Sequence, residues 1–338
     1  MTLQASVYRL AQHFTREPTL STNRARRIFF ATDIHGSDIC WKKFLAAAAY
    51  YEAGILILGG DMTGKALVPI VKKAGGGWEA VLLQQRHFLE TEAEILAIEK
   101  AIGSRGYYPF RTDEAEMEAF SADPARIDAL FTTTVLKVVA RWMELADRLL
   151  FQRGIDCYVC PGNDDAFEID EVIASSKTVR NSEGRIVDLG LGFELASTGW
   201  SNPTPWNTHR EEDEEKLGAR IAAILGERED FSRFLFGFHA PPHGTGLDDA
   251  PELDKNLNIL NAGQSMMPVG STSVRRAIET HRPLLSLHGH IHESKGVARI
   301  GTTLCVNPGS LYEQGVLQGA VIELNPRKGI GSYVLTTG

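Results

Sequence analysis

The chain has 338 residues, of which 43% are hydrophobic and 23% charged, a composition typical of a globular protein with a sizeable core. Its formal net charge of -8 disfavours strong non-specific nucleic-acid binding, which requires a basic surface. No stretch approaches the ~18 apolar residues of a membrane helix. The polar segment 1–9 predicts no signal peptide.

The four cysteines predict a reducing environment. They are Cys40, Cys157, Cys160 and Cys305. Cys157 and Cys160 form a C-x-x-C pair, but this pair lies in a predicted strand, where residues three apart point to opposite faces. No second pair completes a zinc site. We therefore expect plain buried thiols and a cytoplasmic location.

The first part of the chain predicts an α/β core that follows an N-terminal extension. Residues 1–26 are polar and irregular, with a short helix predicted at 7–14. Residues 27–32 and 55–58 form apolar runs typical of buried strands, and residues 37–51 between them have the apolar spacing of a helix. Continuous apolar strands that alternate with helices predict a sheet covered on its faces.

Residues 78–153 interrupt this pattern and predict a helical insertion. They are rich in Glu, Ala, Leu and Arg, and Leu83, Phe88, Ile95 and Ile98 have helical spacing. A second helical run follows an irregular break at 103–109. We expect two or three helices, of which the last covers the sheet. The others form either a lid or a solvated decoration without function.

The remainder of the chain predicts further strands of a single domain over residues 27–338. The predicted helices are at 211–228 and 273–280, and the loop 199–206 contains Pro and Trp, which exclude regular structure. Residues 186–189 and 193–196 are predicted to be antiparallel strands. The other predicted strands are at 156–160, 234–238, 284–287, 299–300, 303–306, 320–324 and 333–335.

Five fragments supply metal-ligand side chains, and each follows a predicted strand. Strand ends of an α/β sheet converge on one edge, and carboxylate, amide and imidazole groups bind divalent metals. Taken singly, most of the fragments are more typical of a turn or a packed histidine, whereas the alternating histidines of 288–292 favour a metal as much as a structural role. Together they predict two cations bridged by the Asp61 carboxylate. The fragments are Asp33-Ile34-His35, Gly60-Asp61, Gly162-Asn163-Asp164-Asp165, His239 and Gly289-His290-Ile291-His292.

The ordered fragments resemble the calcineurin-like metallophosphoesterases, whose pattern is D-x-H, GD, GNH[DE], H and GHxH. The resemblance spans about residues 28–325 and implies a four-layer α/β/β/α sandwich with a dimetal site at the strand ends. His288 lies outside the pattern, and we expect it to orient a ligand. The resemblance implies that one metal is held by Asp33, His35, Asp61 and His292, and the other by Asp61, Asn163, His239 and His290.

One position departs from the family pattern. The family usually has a histidine after the asparagine of the third motif, and this histidine is thought to protonate the leaving group, oriented by the next acidic residue. This chain has Asp164 and Asp165 there. An aspartic acid, whose ordinary pKa is ~3.9, is a poor proton donor, particularly near cations. We predict Asp164 and Asp165 as catalytic residues, with leaving groups that need little protonation.

Further polar and aromatic residues lie in the loops that surround these fragments. Lys65 and His243 are predicted to contact the substrate phosphate, with solvated side chains as the alternative. The turn 307–310 is predicted to close the floor of the site. Trp200 and Trp206 either stack on a base or sugar of the substrate or pack within their own loop.

The predicted activity is hydrolysis of a phosphomonoester or phosphodiester by a water or hydroxide that bridges two metals. Mn, Fe and Zn all suit the ligand set, and Mn is favoured. The alternatives are a nuclease of the same superfamily, which the acidic composition disfavours, and a non-catalytic interaction module built on residues 78–153. We expect a small phosphoester as the partner and no membrane. The residues leave the ester and the oligomeric state open.

Overall fold

The computed structural model describes residues 26–338. The predicted helix at 7–14 and the N-terminal extension fall outside the described residues, apart from residue 26. The strands are β1 (Arg26–Ala31), β2 (Ile55–Leu58), β3 (Leu67–Lys72), β4 (Trp78–Leu82), β5 (Gln85–Leu89), β6 (Tyr108–Asp113), β7 (Asp156–Val159), β8 (Val179–Asn181), β9 (Arg185–Gly190), β10 (Phe193–Thr198), β11 (Phe234–Phe238), β12 (Asp249–Pro251), β13 (Met266–Pro268), β14 (Leu285–Leu287), β15 (Gly296–Ile300), β16 (Thr303–Asn307), β17 (Gln318–Asn325) and β18 (Gly329–Thr337).

The helices connect these strands, and five of them begin at a side-chain cap. The Ser37 side chain accepts a hydrogen bond from the Cys40 N–H at the start of the first helix, and Pro124 occupies the first turn of the longest helix. The helices are α1 (Asp38–Tyr50), α2 (Glu92–Ser104), α3 (Glu114–Ala122), α4 (Pro124–Leu150), α5 (Ile169–Ala174), α6 (Glu214–Leu225) and α7 (Thr272–His281).

Two six-stranded mixed sheets form the centre of the structure. The first has the strand order β18-β17-β1-β2-β7-β8, in which β1, β2, β7 and β8 are parallel. The second has the order β15-β16-β14-β11-β10-β9, in which β16, β14, β11 and β10 are parallel. The predicted antiparallel pair at 186–189 and 193–196 is confirmed as β9 and β10.

The two sheets pack face to face and are covered by helices on their outer sides. Phe30 and Ile57 of the first sheet share a core with Leu235 and Leu287 of the second. Helices α1, α4 and α5 cover the outer face of the first sheet, and α6 and α7 cover that of the second. The predicted four-layer α/β/β/α sandwich is therefore confirmed. Within residues 26–338, no helix has the length and apolarity needed to cross a membrane.

The region 78–153 differs from the predicted helical insertion. Strands β3, β4, β5 and β6 form a separate four-stranded sheet in the order β5-β4-β3-β6, on which α2 packs. Helical structure at Leu83 and Phe88 was therefore a wrong prediction, because both lie in or beside the β4–β5 hairpin. The helices α2, α3 and α4 are confirmed. Helix α4 covers the first sheet as predicted, and its Trp142 stacks on Trp41 with ring centroids 5.1 Å apart.

The cysteines lie in the core rather than in a metal site. Cys40, Cys157, Cys160 and Cys305 are all buried and unbonded to one another, which confirms the prediction of plain thiols. Burial raises the pKa of the Cys160 thiol well above its ordinary value, with the neighbouring Glu183 carboxylate as a further cause.

Candidate metal centre

The predicted ligands meet where parallel strands of the two sheets end. Asp33, Asp61 and Asn163 follow the adjacent strands β1, β2 and β7 of the first sheet. His239 and His290 follow the adjacent strands β11 and β14 of the second sheet. Because each strand is parallel to its neighbour, these ends lie at a common edge, as loops in open α/β sheets do at ligand sites.

A first group of ligand atoms comprises Asp33, His35 and His292. The Nε2 atoms of His35 and His292 are 3.1 Å apart. Asp33 Oδ1 lies 3.4 Å from His292 Nε2 and 4.0 Å from His35 Nε2. One carboxylate and two imidazoles thus face a common point, which is a suitable donor set for a divalent cation.

A second group comprises Asp61, His239 and His290. Asp61 Oδ2 lies 3.4 Å from His239 Nε2, and the same oxygen lies 3.6 Å from His35 Nε2 of the first group. Asp61 therefore faces both groups, the position required of a bridging carboxylate. Asp33 Oδ1 is also 3.8 Å from His239 Nε2, so the two groups form one cluster.

Besides His35 Nδ1, two buried atoms of this cluster have no hydrogen-bond partner within residues 26–338, and both belong to predicted ligands of the second metal. The Nδ1–H of His239 donates to the Gly59 carbonyl at 2.9 Å, which leaves the Nε2 lone pair directed towards Asp33 and Asp61. The Asn163 Nδ2 donates to Thr208 Oγ1 at 2.8 Å, which leaves Oδ1 free. A buried acceptor without a partner costs about 1–3 kcal/mol. Metal ions at the two groups would satisfy both atoms, so the residues fit the predicted centre.

The electrostatics of the cluster also favour bound cations. Burial acts to raise the pKa values of Asp33 and Asp61, but nearby His239 and the other histidines hold both below the ordinary carboxyl range. Burial acts to lower the pKa of His239, whereas Asp61 and Asp33 raise it to about 10. Burial lowers the pKa of His290 to about 4 and that of His35 to about 3. The two ionised carboxylates therefore stabilise positive charge in the cluster, either on the His239 imidazolium or on a bound cation.

Four of the predicted ligands have left-handed backbone conformations. The φ angles are 52° for Asp33, 37° for His35, 46° for Asp61 and 68° for His290. Such conformations cost about 1–3 kcal/mol each in residues other than glycine, and they concentrate at functional sites. A Cβ atom at Gly289 would overlap the side chains of Thr32 and Asp33, so glycine is required at that approach.

Neighbouring side chains support the ligands. The His288 Nδ1–H donates to the carbonyls of Phe238 at 2.8 Å and Ala240 at 3.1 Å, which lie on either side of His239. His288 thus lies where the sequence predicted it, beside a ligand rather than among the ligands. The Ser310 hydroxyl donates to the Asp33 carbonyl at 2.6 Å, which supports the prediction that the turn 307–310 closes the floor of the site.

Asp164 lies beside the first group and is paired with Lys65. Its Oδ2 is 2.7 Å from Lys65 Nζ and 3.7 Å from His35 Nδ1. The Asp164 N–H donates to Asp61 Oδ1 at 3.0 Å. Burial and the Asp61 charge raise the pKa of Asp164, and Lys65 opposes this shift. The position usually held by a histidine therefore presents a carboxylate and a lysine ammonium to the site.

Asp165 has a different environment from the one predicted. Its buried carboxylate accepts hydrogen bonds from the N–H groups of Met62, Thr63 and Gly162 and from the Thr63 hydroxyl. Burial and Asp61 raise the pKa of Asp165 to about 6, while these hydrogen bonds oppose the rise. The prediction that Asp165 orients the residue before it was wrong in this geometry, because both oxygens join the Asp61 loop to the Asn163 loop.

Of the other residues predicted to contact the substrate, some line the cavity and some do not. Lys65 and Trp206 line the cavity that contains the ligands. His243 is not among the residues that line this cavity, and its Nδ1 lies 3.7 Å from Asp248 Oδ2, so its contact with the substrate stays a prediction. Trp200 packs within its own region, with the Arg220 guanidinium 3.8 Å above its ring. Of the two tryptophans, only Trp206 can therefore reach a ligand in the cavity.

Two further residues of the site could not be recognised from the sequence. Thr208 sets the orientation of the Asn163 amide. The Tyr312 ring lies 4.8 Å from the His35 ring and 5.8 Å from the His292 ring, measured between centroids. Neither residue belongs to a recognisable motif, and both reach the site through tertiary packing.

Comparisons with known proteins give similarities in sequence and in structure. The chain is 28% identical over 175 residues to "Uncharacterized protein MJ1162" of Methanocaldococcus jannaschii, a match that covers 51% of this chain and 70% of that protein. No protein-family model matches the chain. One solved structure aligns with a TM-score of 0.53 at 16% identity, over 93% of this chain and 99% of that chain. YfcE, described as a phosphoesterase from E. coli, aligns with a TM-score of 0.33 at 14% identity, over 91% and 98% of the two chains.

The fold and the positions of the ligand residues can both be compared with what the sequence implied. The alignment with a TM-score of 0.53 shows a shared fold. The four-layer sandwich has the strand-end position of the Asp, Asn and His residues that the sequence resemblance implies. The shared fold is therefore shown, and the four-layer sandwich that the sequence resemblance implies is the architecture of residues 26–338.

Proposed function

We propose that this protein hydrolyses a phosphate ester with two divalent metal ions, one held by Asp33, His35, Asp61 and His292 and the other by Asp61, Asn163, His239 and His290. The observation that carries this proposal is the position of Asp61, whose carboxylate faces a histidine of each group. Two such ions supply a water molecule of lowered pKa and neutralise charge on the phosphoryl oxygens.

Lys65 is proposed to bind a phosphoryl or leaving-group oxygen. Its ammonium lies 2.7 Å from Asp164, beside the first ligand group, and its side chain lines the same cavity as Asp61 and His292. A lysine makes strong charge-assisted hydrogen bonds to phosphate. Asp164 then acts as a positioning residue that holds the ammonium near the metal groups. Because the Lys65 pKa is raised, chiefly by Asp164 against the effect of burial, the ammonium is a weak proton donor. This favours esters whose leaving groups need little protonation.

The proposed setting is a reducing one, and the proposed partner is a single phosphoester molecule. Four buried, unbonded cysteines support a cytoplasmic location. The net charge of -8 disfavours a nuclease, since nucleic-acid binding requires a basic surface. The complete ligand set disfavours a purely structural module on this fold. We propose Mn as the favoured metal, with Fe and Zn as alternatives.

A phosphoester panel tests this function. The chelated protein is reconstituted with Mn²⁺ or Zn²⁺ and assayed on 4-nitrophenyl phosphate and bis(4-nitrophenyl) phosphate. We expect metal-dependent turnover that Asp61→Asn abolishes. Asp188→Asn, which changes an exposed aspartate on the edge strand β9, is the matched control and should retain turnover. The proposal is refuted if the reconstituted protein hydrolyses neither ester, or if Asp61→Asn hydrolyses them at the wild-type rate.

A further inference from the structure

The cavity at the metal centre is much larger than a phosphate group. It has a volume of about 1240 Å³, and Asp61, Asn163, His290 and His292 lie in its wall. Small-molecule sites typically measure ~300–1,000 Å³ and enclose most of their ligand. A phosphate held by the metal ligands would fill only a small part of this space. The rest of the cavity is therefore available to the organic part of the ester.

Two segments next to the metal centre give the cavity an apolar wall. Helix α4 contributes Phe131, Val135 and Leu136. The loop 202–209 contributes Pro203 and Trp206, and 65% of the Trp206 side chain is exposed. A tryptophan left this exposed beside a ligand cavity offers a large apolar contact surface at little cost in conformational entropy.

A further part of the wall comes from residues 250–269, a segment between β11 and α7. Leu253, Leu257, Ile259 and Met267 line the cavity from this segment. Leu257, Ile259 and Met267 are all exposed large hydrophobic residues. The pairing of β12 with β13 holds the base of the segment. Concentration of exposed apolar side chains around one cavity is typical of a binding site for an apolar ligand. The flexible side chain of methionine adapts readily to an aliphatic ligand.

The charges of the cavity disfavour a second anionic group. The acidic residues Asp128, Glu168, Asp254 and Glu293 also line it. Lys65 is the lysine of the wall, and it is already paired with Asp164. A nucleotide with several phosphates, or a nucleic-acid strand, would bring negative charge against these carboxylates.

We infer that the substrate is an amphiphilic phosphoester, whose phosphate binds at the metal centre and whose aliphatic chain lies between α4, Trp206 and the 250–269 segment. This inference rests on the proposed phosphoesterase function and specifies its substrate class. Each methylene group that enters the apolar cavity should improve kcat/KM by up to about fourfold, the factor that corresponds to burial of one CH₂. The gain should level off once the chain reaches the end of the cavity.

A series of esters that differ only in the length of the alkyl chain tests the inference, because the leaving group stays the same. The metal-loaded protein is assayed on methyl, butyl and octyl 4-nitrophenyl phosphodiesters, which share one leaving group, below their critical micelle concentrations. We expect kcat/KM to rise at least tenfold from methyl to octyl. Leu257→Gln should lower the ratio of the octyl to the methyl kcat/KM, because it removes apolar surface from the cavity wall. Leu96→Gln is the matched control, because Leu96 is similarly exposed on α2 but does not line the cavity.

The outcomes separate the substrate class from the function itself. Turnover of all three diesters at equal kcat/KM would overturn the aliphatic substrate and leave the phosphoesterase function standing. A higher kcat/KM for the 4-nitrophenyl ester of thymidine 5′-phosphate than for the octyl diester would overturn it in favour of a nucleotide. If no ester is turned over, the proposed function fails. Isothermal titration calorimetry with octylphosphonate and methylphosphonate then tests the apolar site without turnover. Equal affinity for the two phosphonates would refute this site.

Discussion

Asp165 is the residue whose replacement best separates a positioning role from a direct role in chemistry. Its Oδ2 accepts from the N–H groups of Met62 at 3.0 Å and Gly162 at 2.7 Å. Its Oδ1 accepts from the Thr63 N–H at 2.8 Å and the Thr63 hydroxyl at 2.6 Å. In Asp165→Asn, the new NH₂ group meets at least one buried backbone N–H in either orientation of the amide.

The expected loss in the free energy of unfolding follows from these hydrogen bonds. One buried N–H left without an acceptor costs about 1–3 kcal/mol, and the remaining hydrogen bonds lose the strengthening that an ionised acceptor provides. We therefore expect Asp165→Asn to lower the free energy of unfolding by about 2–4 kcal/mol. The neighbouring Asp164 is matched in type, but it is partly exposed and its partner Lys65 has a side chain that is 51% exposed. Asp164→Asn should cost about 0–1 kcal/mol.

Urea unfolding of the metal-free proteins measures these two costs, and elemental analysis measures their metal content. Asp165→Asn should bind metal more weakly, because Asp61 and Asn163 lose their common support, and its activity should recover as metal is added in excess. Asp164→Asn should keep its metal. A variant Asp165→Asn with wild-type stability and full metal occupancy, but without activity, would refute the positioning role and assign Asp165 to the chemistry.

Three further predictions follow from the same geometry. Lys65→Met should weaken substrate binding by about 10–100-fold in steady-state assays, since one charge-assisted hydrogen bond is lost, with metal content unchanged; an unchanged KM and kcat would remove Lys65 from the site. Gly289→Ala should lower metal content on elemental analysis, because the added Cβ overlaps Thr32 and Asp33; full occupancy would contradict this. Chelation should lower the melting temperature and Mn²⁺ should restore it, with about 2.7 kcal/mol per site at a free metal concentration of 100 Kd; identical melting curves would count against a metal centre.

The core strands could be predicted from the sequence because their burial leaves a simple signal. All four residues of β2 are buried, and so are all five of β11. Parallel strands covered on both faces have continuous apolar runs, so the strand ends and the motifs that follow them were located together. The convergence of Asp33, Asp61 and His239 then followed from the general position of ligand sites at such strand ends.

The β4–β5 hairpin could not be predicted because its turn lacks the usual turn residues. Its turn is formed by Leu83 and Gln84, with φ angles of 50° and 63°. Turns of this kind usually contain Asn-Gly or a similar pair, and neither residue gives that signal. The alternation of buried Ala80 and Leu82 with exposed Val81 spans too few residues to outweigh a helical composition. Packing of α2 on the four-stranded sheet decides the structure there.

The predicted ligands are brought together, but their partners could not be predicted. The pairing of Lys65 with Asp164, and the hydrogen bonds from Met62 and Thr63 to Asp165, join loops that are far apart in the sequence. No local pattern encodes such contacts, since they depend on how two strand-end loops approach one another. Residue type alone therefore assigned Asp165 to catalysis, whereas its hydrogen bonds assign it to the framework.

The number of metal ions bound per chain is the most direct measure of a dimetal centre bridged by Asp61. The purified protein, reconstituted with excess Mn²⁺ and freed of unbound metal, is analysed for metal content beside the Asp61→Asn variant. We expect two equivalents per wild-type chain and at most one in the variant, because Asp61 faces both ligand groups. A wild-type content below one equivalent, or two equivalents in Asp61→Asn, would contradict a dimetal centre bridged by this carboxylate.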